Sequence, residues 1–499
     1  MKGRITGLTV ILVVLFGLVL VQAWFIQVHR ANALNRSPQN PAIVELSRLN
    51  PRGEILSANG AVLARSIPTG DPAYPWRRSY PLGPLTAGVV GYSSSKYGTG
   101  GIEYQYDGYL VTHTQPTQSL GGAINPTKSS DSVQLTLSVP LQQVAARALA
   151  GRDGSVVAID PRTGAVLAMY SNPTYDPSRL ASISFGAQTA AWKEFNTNDA
   201  LHFPPLGSVA TQQTFPPGST FKVVTTAGIL RYHPSLASAV FPSQTCLHLP
   251  QSDQRLCNSG DTPCGGTIQA MLPASCDPGY GWLGMQLGAQ RLREQADQFG
   301  YNAIPPLDLP GVVPSYFPPA HYFDQALPLL AYSAIGQDNV RSTALQDALV
   351  AAGIADHGRI MAPHFLQSIV DDQGGVISTY KPYVWRHPLN ATSAGTISQL
   401  MRKVVTIGTA QLVNFLPEDQ VAAKTGTAQT AGNQLTDDWM IAFAPASDPV
   451  IAVAVVVPNQ PIFDWGATVA GPIVKCVIEG ALAIDAKQAP SGTPATCPS

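Results

Sequence analysis

The chain is poor in charge: only 12% of its 499 residues are Asp, Glu, Lys or Arg, and 30 basic against 31 acidic side chains leave a formal net charge of −1. Without a basic field there is nothing to neutralise a phosphate backbone, so nucleic acid is excluded as a partner. Cysteine is scarce as well. Six are present, with no C-x-x-C pair and irregular spacings, which argues against a zinc framework. His357 and His364 lack metal-ligand spacing and His248 sits in a cysteine-rich stretch, so no metal is expected. No internal repeat is evident, so the fold is not an array of like units.

What is present is apolar and turn-rich. Hydrophobic residues make up 45%, beside 44 Gly and 43 Pro, the composition of a folded chain with many loops. The length suits two or more domains. "MKGR" precedes the uncharged apolar run "ITGLTVILVVLFGLVLVQAWFIQV" (5–28), long enough to cross ~30 Å of hydrocarbon and longer than the core of a cleaved signal peptide. Lys2 and Arg4 keep the short N-terminus cytoplasmic and send the remainder outside. Six cysteines fit that oxidising side. Cys246, Cys257, Cys264 and Cys276 allow three pairings, of which Cys246–Cys257 with Cys264–Cys276 is preferred; Cys476 and Cys497 lie near the C-terminus.

After the apolar run come short β-like segments, "RGEILSANGAVLARS" (52–66) and "GVVGYSSSKYGTGGIEYQYDGYL" (88–110), with Asn59-Gly60 as a hairpin signal and no catalytic cluster. The polar stretch "QSLGGAINPTKSSD" (118–131) reads as a linker. Beyond it, "GSVVAIDPRTGAVLAMYSNPTYDP" (154–177) reads as a hairpin around Asp-Pro-Arg-Thr-Gly, and helical spacing follows around Lys222, over 283–300 and over 344–358. Two more β-rich runs lie in "DDWMIAFAPASDPVIAVAVVV" (437–457). Strands at both ends with helices between imply one sheet closed by distant segments.

The chemistry lies in "TFPPGSTFKVVTTAGIL" (214–230), where Ser219 stands three places before Lys222 in a run that reads as a helix opening after Pro-Pro-Gly. Residues i and i+3 share a helix face, and a lysine whose pKa is lowered can activate a serine. The spacing alone is weak: Ser93 with Lys96 and Ser378 with Lys381 repeat it. Company decides. Ser275 lies in "LPASCDPGYGW", an S-x-N-like form with Asp277 in place of asparagine, and "AAKTGTAQT" carries Lys424, Thr425, Gly426 and Thr427. The order S-x-x-K, S-x-N-like, K-T-G is that of penicillin-binding proteins and serine β-lactamases.

The chain resembles the class B penicillin-binding proteins in particular. Their segments "RGEILSANGAVLA", "GTGGIEYQYDGYL", "DPRTGAVLAM", "PPGSTFK", "SAIGQDNVRSTALQDALVAAGIADHG", "VVTIGTA" and "KTGTAQT" occur in the family's order, and the likeness is greatest to the actinobacterial A-type. The resemblance implies an α+β fold. A penicillin-binding/serine β-lactamase-like transpeptidase domain, an antiparallel sheet with helices, would span 141–485. Before it would come a cytoplasmic stub and transmembrane anchor (1–28) and an elongated β-rich, pedestal or dimerisation-like domain (29–140), and after it a flexible tail (486–499).

It also implies roles. Ser219 would be the nucleophile that attacks the penultimate D-Ala carbonyl of a peptidoglycan stem peptide, with Lys222 as its base, kept neutral by burial and by the charge of Lys424. Ser275 would lie between the two lysines and pass the proton to the leaving amine. Lys424 with Thr425 or Thr427 would bind the substrate carboxylate, Gly426 would let an extended peptide approach the strand, and the N–H groups of Ser219 and Thr427 would form the oxyanion hole. Asp277 departs from the pattern: it is either paired with a lysine at rest and displaced by substrate, or a brake on acylation. Gln337 reads as structural and Trp439 as core. The implied function is a D,D-transpeptidase inhibited by β-lactams, with no cofactor and a membrane glycosyltransferase and other division or elongation proteins as partners. The competing readings are a β-lactam hydrolase or sensor and a non-catalytic cell-wall scaffold.

Overall fold

The computed structural model describes residues 2–28, 49–114, 128–198, 202–324, 326–430, 435–462, 464–485 and 497. Most of the linker expected over 118–131, and all of the C-terminal tail but Cys497, lie outside the described residues.

The apolar run forms a helix, α1 (Lys2–Val28), and its stretch Ile5–Ile26 is long and apolar enough to cross a membrane. Next come β1 (Ile55–Leu56), β2 (Val62–Asp71) and β3 (Tyr74–Ser79), then β4 (Ser132–Leu135) and α2 (Val139–Leu149). The expected hairpin follows as β5 (Gly154–Ile159) and β6 (Val166–Asn172). Helices α3 (Lys222–Tyr232), α4 (Asp277–Leu287) and α5 (Ala344–Ala355) precede β7 (Leu366–Val370) and β8 (Val376–Thr379). The chain closes through α6 (Ala391–Thr406), β9 (Ala422–Gln429), β10 (Leu435–Ala444), β11 (Ile451–Pro461) and α7 (Ala470–Asp485).

Two sheets organise these elements. The catalytic sheet is antiparallel with order β6-β5-β11-β10-β9, so the first hairpin of the unit pairs with its last strand, Val156 opposite Val455. Helix α5 covers one face and α2 with α7 the other, which is why β5 and most of β10 and β11 are buried on both sides. Strand β9 is an edge among the described residues: β10 pairs one side of it and no described strand pairs the other.

The second sheet has order β8-β7-β4-β1-β2-β3. It draws β7 and β8 from residues 366–379, far beyond residue 140, and β7 lies antiparallel on β4. The sheet of the N-terminal region is thus completed by a ribbon inserted from the catalytic segment. Disulfides Cys246–Cys257 and Cys264–Cys276 match the preferred pairing, and Cys476 on α7 joins Cys497.

Candidate active site

Ser219 and Lys222 do not share one α-helix. Ser219 sits in a 3-10 turn, Gly218–Phe221, and α3 begins at Lys222. The turn is tight because Gly218 adopts φ +55° and donates its N–H to Gly336 O at 3.0 Å. In a 3-10 turn positions i and i+3 eclipse, which still sets Ser219 over Lys222. Thr220 beside Ser219 donates to Asp347 on α5 (2.7 Å), and the indole N–H of Trp439 donates to Pro216 O (2.9 Å). Trp439 is fully buried and packs edge-on against Phe215, so it is core, and core that fixes the Pro-Pro-Gly turn.

Ser275 is held by its backbone. It takes φ +55°, a conformation that costs a non-glycine residue energy, between a turn closed by its N–H on Leu272 O and the start of α4. The neighbouring Cys276 is fully buried and tied to Cys264. Asp277 opens α4, where the helix dipole favours an anion, and its N–H donates to Asn258 Oδ1 (3.1 Å).

The side chains converge. Lys222 Nζ donates to Ser275 O (2.6 Å), Asp277 Oδ1 (2.6 Å) and Ser275 Oγ (3.3 Å), while Lys424 Nζ donates to Ser275 Oγ (2.9 Å) and to Thr425 O (2.9 Å). The Ser275 hydroxyl therefore lies between the two amines. Both lysines are fully buried, and the Tyr280 ring lies 5.5 Å from Lys222 Nζ. Three acceptors match the three N–H groups of an ammonium, so the resting contacts of Lys222 are those of its charged form. Burial pulls its pKa down and Asp277 pulls it up, with a net lowering. Lys424 is lowered well below the usual range, by burial and then by the charge of Lys222. Two buried amines and one carboxylate leave one positive charge uncompensated.

On β9, Thr425 exchanges a hydrogen bond with Thr409 (2.7 Å) and Thr427 Oγ1 accepts from Gly466 N–H (2.9 Å). Gly426 also has a reason within the protein itself. A Cβ there would meet Pro217 O at 2.7 Å, Thr220 Cγ2 at 2.9 Å and Trp439 Cβ at 2.9 Å, so the glycine makes room for the turn that carries Ser219. Gln337 sits in a backbone turn, its N–H on Tyr332 O. No cluster of metal ligands occurs among the described residues.

Sequence reasoning missed Asn258, Tyr280, Asp347 and Thr409. Tyr280 alone left a local signal, three places after Asp277 at the opening of a helix. Asp347 is fully buried, accepts from Thr220 and Ser342, and burial pushes its carboxyl up to about 6.

Comparison with known proteins agrees with this geometry. The family model described as the penicillin-binding protein transpeptidase domain matches residues 154–479, and that of the penicillin-binding protein A dimerisation domain matches 52–121. The peptidoglycan D,D-transpeptidase PbpA of Mycolicibacterium smegmatis is 34% identical over 97% of this chain and 99% of its own, and that of Mycobacterium tuberculosis 33% over 97% and 99%. Among solved structures, the ceftriaxone acyl-enzyme of penicillin-binding protein A from M. tuberculosis superposes with a TM-score of 0.79 at 32% identity, covering 88% of this chain and all of that one. The D,D-transpeptidase domain of a peptidoglycan glycosyltransferase from Eggerthella lenta gives 0.75 at 30% identity, covering 88% and 99%. A serine turn, a serine bridging two buried lysines and a K-T-G edge strand are thus joined by likeness along nearly the whole length, and the chain belongs to the class B penicillin-binding protein transpeptidases.

Proposed function

We propose that this protein cross-links peptidoglycan stem peptides as a D,D-transpeptidase, held by α1 in the cytoplasmic membrane with its folded portion outside. The observation that carries the reading is Ser275 Oγ suspended between Lys222 Nζ (3.3 Å) and Lys424 Nζ (2.9 Å), with Lys222 opening α3 directly after the Ser219 turn. Ser219 Oγ attacks the penultimate D-Ala carbonyl while its proton passes to Lys222. The amine is a base only after release from Asp277, and entry of the substrate displaces that carboxylate. The proton then travels through Ser275 to the leaving D-Ala nitrogen, an acyl-enzyme remains on Ser219, and an amine of a second stem peptide takes the acyl group.

The open side of β9 pairs with the extended donor peptide, and Lys424 with Thr425 or Thr427 receives its terminal carboxylate. The N–H groups of Ser219 and Thr427 hold the oxyanion, each such donor worth about 3–4 kcal/mol. A membrane partner that polymerises the glycan supplies the strands to be joined. Intact-mass spectrometry after penicillin G tests the reading. A persistent adduct of one drug molecule, absent in Ser219→Ala, is the expected result. An adduct that forms and clears quickly would instead indicate a hydrolase, and none at any pH a scaffold.

A further inference from the structure

Across the strand pair from Thr427 stands Asp438, its register partner on β10, so the two side chains share a face of the sheet. Asp438 is fully buried and neither of its carboxyl oxygens completes a hydrogen bond among the described residues, although the hydroxyls of Thr427 and Thr436 are near enough to favour its ionised form. An ionised carboxylate left so is costly. The charged groups around it do not relieve the cost. Asp464, from the segment before α7, and Asp437 beside it are both acidic; Arg341 acts on Asp437, and Lys424 on the neighbouring strand spends its amine on Ser275 and Thr425 O. Burial first and Asp464 second push the Asp438 carboxyl up to about 7.

We infer that Asp438 is a positioning residue for ligand binding: as a carboxylic acid it donates its proton to Thr427 Oγ1 and so aims the Thr427 hydroxyl hydrogen at the ligand's carboxylate. A hydroxyl oxygen accepts two hydrogen bonds and donates one. Gly466 N–H already fills one acceptor position of Thr427 at 2.9 Å. An Asp438 O–H fills the second, and the threonine hydrogen then has only the cleft to point to. Ionised, Asp438 takes that hydrogen for itself and leaves an oxygen lone pair facing an anionic ligand. The inference rests on the proposed role of Thr427 as a carboxylate receptor.

The test is penicillin G acylation followed from pH 5.5 to 9, resolved into the dissociation constant of the initial complex and the limiting acylation rate. Wild type should bind about tenfold more weakly as pH rises through the titration of Asp438, with the limiting rate unaffected by that group. Asp438→Asn, whose amide donates at every pH, should lack that loss while binding normally at pH 6. Penicillin G methyl ester, which has no carboxylate, should show no such loss with wild type, an arm that needs no variant to fold. If Thr427→Val binds penicillin as wild type does, the receptor role fails and this inference with it. If Thr427→Val binds weakly but Asp438→Asn keeps the wild-type pH profile, or if the ester shows the same loss as the free acid, only the role of Asp438 falls.

Discussion

Two of the buried charge clusters among the described residues are built on opposite plans. In the N-terminal region Arg52 and Arg78 converge on Glu103, at 3.0 and 2.5 Å, and Arg52 also meets Asp107 at 2.8 Å. Two cations face two anions, and Arg52 Nη2 and Arg78 Nη1 find the carbonyls of Glu103 and Arg52 as further acceptors. Burial would raise the Glu103 carboxyl, but Arg78 and Arg52 outweigh it and hold the group below its usual range. In the catalytic region Lys222 pairs with Asp277 while Lys424 has only Ser275 Oγ and Thr425 O as partners, and both amines are lowered. A balanced cluster is fixed in one protonation state over the working pH range. An unbalanced one keeps a proton that is easily moved, which an acyl-transfer site needs and a scaffold does not.

The comparison breaks if the two clusters respond alike to loss of one member. Lys222→Met should reduce penicillin acylation by about 10²–10⁴-fold, the range for loss of a general base. Because it removes one of two like charges, its thermal unfolding midpoint should match or exceed that of wild type, as differential scanning fluorimetry would show. Glu103→Gln should do the reverse. It leaves the buried Arg78 guanidinium without a carboxylate and Arg52 with Asp107 alone, and should cost about 3–5 kcal/mol in urea unfolding, with the acylation rate per folded molecule unchanged. The linkage has a sign. Since the folded-state pKa of Glu103 is lowered, its contribution is present above the unfolded value near 4.3 and lost as pH falls through the folded one. A wild-type urea midpoint that fell only in alkali would contradict that account.

The same contrast governs what could be read from residues alone. Ser219, Lys222 and Lys424 were legible because each lies within a short string whose spacing is itself the chemistry. Ser275 and Asp277 were found through the order of the strings, and their positions relative to the lysines depend on a left-handed residue and a disulfide that no periodicity announces. The terminal pairing of the catalytic sheet was readable from the hydrophobic runs at either end. The ribbon β7–β8 was not, since short alternating strands carry no mark of the sheet they will join. Gly426 taught the most. The glycine was anticipated, but whether the close neighbour is ligand or protein is a fact of packing between segments some 200 residues apart.

Asp277 sharpens the comparison, because it is the one element that brings the catalytic cluster toward balance. Its charge raises the pKa of Lys222 against burial, so Asp277→Asn should lower that pKa and move the acid limb of the acylation profile to lower pH. The carboxylate is 18% exposed, so solvent screens part of the pair's attraction and places the effect at the small end for a close ion pair. Below the wild-type limb the variant should therefore acylate about tenfold faster, and on the plateau at the same rate, because there Lys222 is neutral in both. Stopped-flow acylation with a chromogenic cephalosporin across pH measures this directly. Superimposable profiles would mean that Asp277 does not set the protonation of Lys222 in the free enzyme, and that the resting ion pair guards the site without tuning its base.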